Sequence, residues 1–208
     1  MTLERVGSRY YLGLDLGQAR DYSAIAIAER RTELTGERDH VTYLDHTTTR
    51  ILVTHLERIP LRTSYPEVVA RVRGITQRYK GHCLEIIMDA TGVGAAVKDM
   101  LHQARLGFTV YGVTITGGKQ TSISYGGYPV PRHDLLANLR VLLEKDMLDL
   151  EVPGDMRQLL EAEFLRWGRR SAHNDLIFVI ALACWKAGGQ PIAQHIPGPL
   201  PMYPIARK

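Results

Sequence analysis

The stretch Leu176-Ile-Phe-Val-Ile-Ala-Leu-Ala-Cys-Trp185 constrains this chain more than any other. It is an unbroken apolar run, preceded by Asp175 and followed by Lys186. A bilayer crossing takes ~20 such residues, so the run is about half the length needed to span. Wound as a helix it is apolar on nearly every side, which predicts a helix enclosed by the rest of the fold. Enclosing it takes a substantial core. A chain of 208 residues and 23.4 kDa can build one good core, with room for a small appendage, but not two full domains.

The remaining pattern says what surrounds that helix. Tyr11-Leu-Gly-Leu-Asp-Leu-Gly17 alternates strictly, with Leu12, Leu14 and Leu16 on one face and Gly13, Asp15 and Gly17 on the other, the period of a strand. Tyr22 to Ala28 reads as a returning strand, the charged stretch Glu29 to His40 as a hairpin tip, and Val41–Leu44 with Ile51–Leu56 as one more strand around a Thr-rich turn. Pro66 opens a helix at a favoured first-turn position, with Val68, Val72, Ile75 and Tyr79 as its stripe and Gly81 as its end. Leu84 to Met88 is nearly all apolar, as a central strand is. It runs into Asp89-Ala-Thr-Gly-Val-Gly94 and a second helix to about Ala104.

A strand from Phe108 to Ile115, a Gly/Ser/Thr-rich loop from Thr116 to Tyr128, and a helix after Pro131 carrying Leu135, Leu139 and Leu142 come next. Asp149 to Val152 is expected as an edge strand, Asp155 as the cap of a helix reaching Trp167, and Asn174 to Ala187 as the final helix. The order predicts a mixed α/β sheet, an antiparallel meander joined to parallel strands, with helices on both faces. Five of the ten prolines lie between Pro191 and Pro204. Residues 1–189 are therefore expected as one domain and 190–208 as an extended tail.

Charge and cysteine usage narrow the class without naming a function. The net charge of +4 is a mild lean towards polyanions. The tail holds Arg207, Lys208 and no acid, leaving 24 basic against 22 acidic residues elsewhere, or +2. Position says more: Arg50 to Lys80 holds seven basic residues against Glu57 and Glu67. Cys83 and Cys184 lie beside or within apolar runs, which predicts buried thiols in a reducing compartment and no zinc framework. The first eleven residues lack the apolar core of a secretory signal. The expectation is a soluble, intracellular chain without membrane contact.

Chemistry is concentrated in three aspartates at three element ends. Asp15 sits near the end of the first strand between Gly13 and Gly17, which leave room for a ligand or a backbone to approach. Asp89 closes the apolar strand, and Asp175 stands at the head of the buried helix, where free N–H groups and the helix dipole favour its charge. Singly, each reads as a turn former or a cap. Together they change meaning, because the carboxyl ends of central strands form the usual ligand crevice of an α/β sheet. Clustered carboxylates repel, and an all-oxygen donor set suits Mg²⁺ or Mn²⁺ better than zinc.

In chain order, Gly13-Leu-Asp15-Leu-Gly17, Asp21-Tyr-Ser-Ala24, Asp89-Ala-Thr-Gly-Val-Gly94, Thr114-Ile-Thr-Gly117, Val130-Pro-Arg-His-Asp-Leu135 and Ala172-His-Asn-Asp-Leu176 resemble the nuclease domain of tailed-bacteriophage large terminase subunits. That domain has a ribonuclease H-like fold, and the resemblance runs from about residue 10 to 187. The Gly-x-Asp-x-Gly strand is shared widely; Asp-Ala-Thr-Gly-Val-Gly joined to a terminal His-Asn-Asp-Leu helix is far more specific. The resemblance implies an endonuclease that cuts concatemeric viral DNA during packaging, using two Mg²⁺ or Mn²⁺ ions ~4 Å apart. Asp15 would bridge both ions, and Asp89 and Asp175 would each complete one coordination sphere, with Asp21 as an outer ligand or a plain turn residue.

Where relatives often carry two adjacent acids after the histidine, this chain has Asn174 and Asp175. Asn174 is left to cap the helix or to bind through its carbonyl oxygen. Implied partners are double-stranded DNA, an ATPase motor domain or subunit, the small terminase subunit and the portal, in the cytoplasm of an infected or prophage-bearing bacterial cell. The length fits a nuclease half that borrows its motor from elsewhere.

Other residues carry weaker signals. Lys119, Arg132 and His133 border the Gly-rich loop and are candidates for phosphate contacts, set against plain solvated charge. His173 either orients a carboxylate or water or packs at a helix start. Tyr125 and Tyr128 are placed to stack on DNA or to do nothing of the kind. Gly117-Gly-Lys-Gln-Thr121 falls short of a Walker A loop, because the lysine comes one place late and Gln follows it. No ATPase activity is expected from this chain. A second reading is a DNA-binding or motor-docking module of the same fold with weak or no nuclease activity. A third, an actin-like ATPase half, lacks its second Gly-x-Asp-x-Gly strand and an adenosine-binding loop.

Overall fold

The alternation that begins at Tyr11 becomes the C-terminal part of a long strand, β1 (Arg5–Asp15), with Leu16 and Gly17 just beyond it, in the computed structural model, which describes residues 5–17, 21–117, 128–166 and 174–188. The other strands are β2 (Ser23–Arg38), β3 (Asp45–Ile59), β4 (Leu84–Asp89), β5 (Thr109–Thr116), β6 (Tyr128–Pro131) and β7 (Leu148–Leu150). They form one sheet in the order β6-β5-β4-β1-β2-β3-β7. β1, β2 and β3 pair antiparallel, β4 lies parallel to β1, β5 and β6 continue the parallel side, and β7 lies parallel to β3 at the far edge.

Helices α1 (Tyr65–Thr76), α2 (Gly94–Gln103), α3 (Arg132–Glu144), α4 (Gly154–Arg166) and α5 (Asp175–Ala187) cover both faces. Leu12, Leu14, Ile25 and Ile27 point to the face covered by α1 and α2, where they meet Val68, Val72, Val97 and Leu101. The opposite residues of the same strands, Tyr11, Ala24, Ala26 and Ala28, face α5, flanked by Leu135 and Leu139 of α3 and Leu160 of α4. Small residues dominate this second face because the helix axis itself lies close. A side chain at Gly13 would put its Cβ 2.4 Å from the Val179 carbonyl oxygen of α5. Of the α5 residues only Asp175 and Lys186 are not buried, so the expected all-round enclosure of this helix is what the fold provides. No helix among the described residues is long and apolar enough to cross a membrane.

Three expectations change. Glu29–His40 is not a hairpin tip: β2 runs on to Arg38, and the turn is formed by Asp39 to Leu44, held by Val41 and Thr42 N–H groups donating to Asp39 Oδ1 at 2.8 and 2.6 Å. The charges that read as a tip form a cluster inside the sheet. Buried Glu29 accepts from Ser8 at 2.6 Å and pairs with Arg5 at 3.0 Å and Arg31 at 2.9 Å. Val41–Leu44 is accordingly turn rather than strand, and the Thr-rich segment lies within continuous β3. Finally, Cys83 is exposed in the turn before β4, while Cys184 is fully buried in α5. Strand β6 had no sequence expectation, since Pro129 and Pro131 mask it; proline fits because this is an edge strand. Residues 118–127, Trp167, His173 and the tail 190–208 lie outside the described residues.

Candidate metal and nucleic-acid site

One cavity of about 270 Å³ opens at the carboxyl ends of β1 and β4, against the start of α5. Asp15, Asp21, Asp89, Arg132, Asn174 and Asp175 line it. Four carboxylates thus face one guanidinium among the described residues. Each element delivers its group for a separate local reason.

Asp15 is the last residue of β1, paired with Ala24 of β2. The strand is gripped on one side by the leucine core and on the other by α5, so the direction of this side chain follows from burial of its neighbours. Gly17, just beyond, admits a backbone and not a ligand. A Cβ there would lie 2.1 Å from the Asp21 carbonyl oxygen, and Gly17 N–H donates to Ser23 Oγ at 3.1 Å. The same holds for Gly13. The room provided by the Gly-x-Asp-x-Gly strand is therefore room for the protein's own chain.

Asp89 ends β4 and is set by its own turn. Thr91 N–H donates to Asp89 Oδ1 at 2.8 Å, and Thr91 Oγ1 accepts from Ile115 N–H of β5 at 3.0 Å. Gly94 lets α2 start directly over the strand end, where a Cβ would lie 2.2 Å from the Asp89 carbonyl oxygen. The Asp-Ala-Thr-Gly-Val-Gly pattern is thus a strand-to-helix clasp, and its glycines serve the tight turn rather than a dinucleotide.

Asp175 is the first residue of α5, and its helix start is capped in an unusual way. Asn174 occupies the capping position, yet its side chain makes no capping bond. Leu176 and Ile177 N–H groups instead donate to Glu163 of α4, at 3.3 and 3.0 Å. The Glu163 carboxylate also takes a charge-assisted bond from Arg58 of β3. Burial pushes the Glu163 carboxyl up, and the Asp175 charge adds to this. The Ile177 and Leu176 donors and Arg58 pull the other way. Of the two roles the sequence left to Asn174, capping the helix or offering its carbonyl oxygen, it does not take the first; Glu163 was missed, because no periodicity marks a partner brought in from another helix.

Freed from capping, Asn174 Oδ1 is buried and accepts no hydrogen bond among the described residues. Beside the carboxylates of the cavity, this amide oxygen is a further group able to serve a cation. The Asp15 carboxyl is pushed up to about 7, first by burial, then by the charges of Asp89 and Asp175, against a smaller opposing pull from Arg132. Asp15 therefore sits in the field of both other aspartates, and a cation is the direct remedy for such a field. All donors are oxygens, a set that fits Mg²⁺ or Mn²⁺. Among the described residues no group of three or more His, Cys, Asp or Glu is drawn tightly enough to clasp an ion.

The phosphate candidates separate. Arg132 opens α3 inside the cavity, its guanidinium 4.8 Å from the Phe178 ring centre. The His133 side chain is 62% exposed, 3.0 Å from Asp134, and does not line the cavity. Lys119 and His173 fall outside the described residues, as does Tyr125; Tyr128 lies beside Tyr111 at 6.1 Å. In the basic stretch before Lys80, Arg58 pairs with Glu163, Arg71 with Glu57, and Arg73 donates to the Ala104 carbonyl. Much of that charge braces the fold.

An antiparallel meander continued by parallel strands, helices on both faces, and acidic groups at two strand ends facing a helix start together define a ribonuclease H-like α/β fold. The structure is similar to the large terminase nuclease of the thermophilic phage G20c, with 24% identity and a TM-score of 0.51, over 87% of this chain and 83% of that one. It is also similar to the nuclease domain of the large terminase subunit gp2 of bacterial virus Sf6, solved as a K428A mutant with manganese and beta-thujaplicinol. There the identity is 12% and the TM-score 0.54, over 85% of this chain and 87% of that one. The sequence matches no protein-family model and none of the curated proteins compared with it. At these identities the likeness is one of fold.

Proposed function

We propose that this chain is a Mg²⁺- or Mn²⁺-dependent endodeoxyribonuclease of the terminase type, cutting concatemeric viral DNA during packaging. The observation that carries the reading is the convergence of Asp15, Asp89 and Asp175 on one acidic cavity, with Asp15 feeling both other charges. The Sf6 domain with manganese, which shares this fold, supports it.

Asp15, between the other two, would serve both ions, with Asp89 and Asp175 each serving one and Asp21 or Asn174 adding an oxygen. Bound ions supply an activated water and stabilisation of the departing 3′ oxygen. The chain's own contribution is positional. β1 and β4 hold two carboxylates rigid, α5 presents the third, and Arg132 offers a planar donor to a phosphate oxygen at the cavity wall. DNA approaching this site meets like charge until cations enter, so substrate and metal binding should be mutually dependent.

Residues 1–189 would form the nuclease domain and 190–208 the tail, acting with an ATPase motor, the small terminase subunit and the portal in the host cytoplasm. The test is plasmid cleavage with purified protein. Nicking or linearisation is expected with Mn²⁺ or Mg²⁺ and without ATP, and Asp15→Asn should abolish it. Equal cutting by Asp15→Asn overturns the assignment. Asn174 in place of an acid, with no tight three-donor cluster among the described residues, favours a second reading as a DNA-binding or docking module. Calorimetric titration separates the two, because a docking module shows no carboxylate-dependent Mn²⁺ binding.

A further inference from the structure

Apart from the aspartates of the cavity itself, the buried acids among the described residues are Glu29 and Glu163. Glu29 is explained by its pairing with Arg5 and Arg31 inside the sheet. Glu163 is different, because it lies directly behind the site: its two oxygens take the N–H groups of the two residues that follow Asp175. Arg58, its partner, also lies 4.9 Å from the ring centre of Tyr22, a wall of the cavity. One carboxylate thus ties together α4, α5 and β3 at the point where α5 meets the sheet edge.

The physical need is specific. A helix start leaves its first N–H groups without intrahelical partners, and these positions are buried. Asn174, the residue placed to satisfy them, does not do so. A carboxylate there gains from both hydrogen bonds and the helix dipole. Removing it strands the two donors and leaves Arg58, a half-buried cation, without its carboxylate partner. The cheapest relief is for the first turn of α5 to shift, and that turn carries Asp175.

We propose that Glu163, locked by Arg58, is a positioning residue that fixes the first turn of α5, thereby directing Asp175 and the amide oxygen of Asn174 into the cavity for divalent-cation binding. This rests on the metal-dependent reading above. Glu163 touches neither ion nor DNA. It acts through the backbone of Leu176 and Ile177, as outer groups around metal sites do when they hold a ligand's direction.

The experiment is Mn²⁺ titration calorimetry on wild type, Asp15→Asn, Glu163→Ala, Glu163→Gln and Arg58→Met, well below the melting temperature of each variant. Glu163→Ala is expected to weaken Mn²⁺ binding by about 10-fold or more. Glu163→Gln, which keeps an acceptor oxygen, should recover part of that loss. A residue that merely stabilised the fold would lower the melting temperature and leave Mn²⁺ affinity unchanged, and that result overturns the proposal. Should Glu163→Ala fail to fold, Glu163→Gln and Arg58→Met decide. Wild-type affinity in both overturns the proposal, and weakened affinity in either folded variant supports it. Wild type lacking Mn²⁺ binding that Asp15→Asn abolishes would overturn the metal-dependent reading and this inference together, which distinguishes that failure from a null result confined to the variants.

Discussion

Asp89 is aimed by its immediate neighbours, through Thr91 N–H and the clasp of Thr91 onto Ile115, whereas Asp175 is aimed by Glu163 from another helix and by Arg58, 105 positions from Glu163. At Asp89 the strand edge of the cavity is therefore a mostly local construction, a two-residue turn tied once to the neighbouring strand. The helical edge is a tertiary one, assembled only when α4, α5 and β3 have docked. A local device tolerates distant change and fails only when its own residues are altered. A tertiary device inherits every disturbance of the packing beneath it.

The largest expected effect falls on the aspartate common to both edges. Asp15→Asn should reduce metal-dependent plasmid cleavage to background. The same variant should melt higher than wild type in metal-free buffer at pH 7 to 8, because it removes a buried charge facing two others. Next is Gly13→Ala, which drives a methyl into the Val179 carbonyl and pushes α5 off the sheet. A loss of about 1–3 kcal/mol in urea unfolding is expected. Mn²⁺ affinity should fall with it, because the helical edge moves while the strand edge stays; unchanged affinity would break the comparison.

Acidity sharpens it further. The folded-state pKa of Asp15 stands at about 7, above the ordinary carboxylate value of 3.8. The folded protein therefore binds the proton more tightly than the unfolded chain. This contribution is fully present below about pH 4 and is lost as pH rises through 7. Metal-free wild type should lose melting temperature across that window relative to Asp15→Asn, and saturating Mn²⁺ should abolish the difference. A smaller effect is expected from Thr91→Val, about 0.5–1.5 kcal/mol in chemical denaturation because the lost bond is exposed, confined to the strand edge because Asp89 keeps the Thr91 N–H. Smallest is His133→Ala, an exposed change expected to stay within about 0.5 kcal/mol in the same assay.

This division also explains what could be read in advance. Alternation in Tyr11–Gly17, the apolar strand before Asp89 and the unbroken run after Asp175 are local patterns, and the mixed sheet with helices on both faces follows from them. Two glycines read as room for a ligand or a backbone make room for backbone, that of α5 and of residues 21–22, since sequence shows that space is needed but not which of the two fills it. The charges of Glu29 to Arg31 looked like a solvated tip because their partners, Arg5 and Ser8, lie far away in the chain. Glu163 was unreadable for the same reason: within α4 it is one acid among several, and only docking makes it a cap.

The enclosure of α5 has one further consequence. The chain has two thiols, one exposed at Cys83 and one at Cys184 with no solvent contact, its acidity suppressed by burial to about 12. A thiol-directed label should modify the first at once and reach the second only when α5 lifts from the sheet. Cys184 is thus a native clock for the opening of the helix that carries Asp175. In a Cys83→Ser background, its labelling rate would report how often the acidic cavity comes apart, and how far cations slow it.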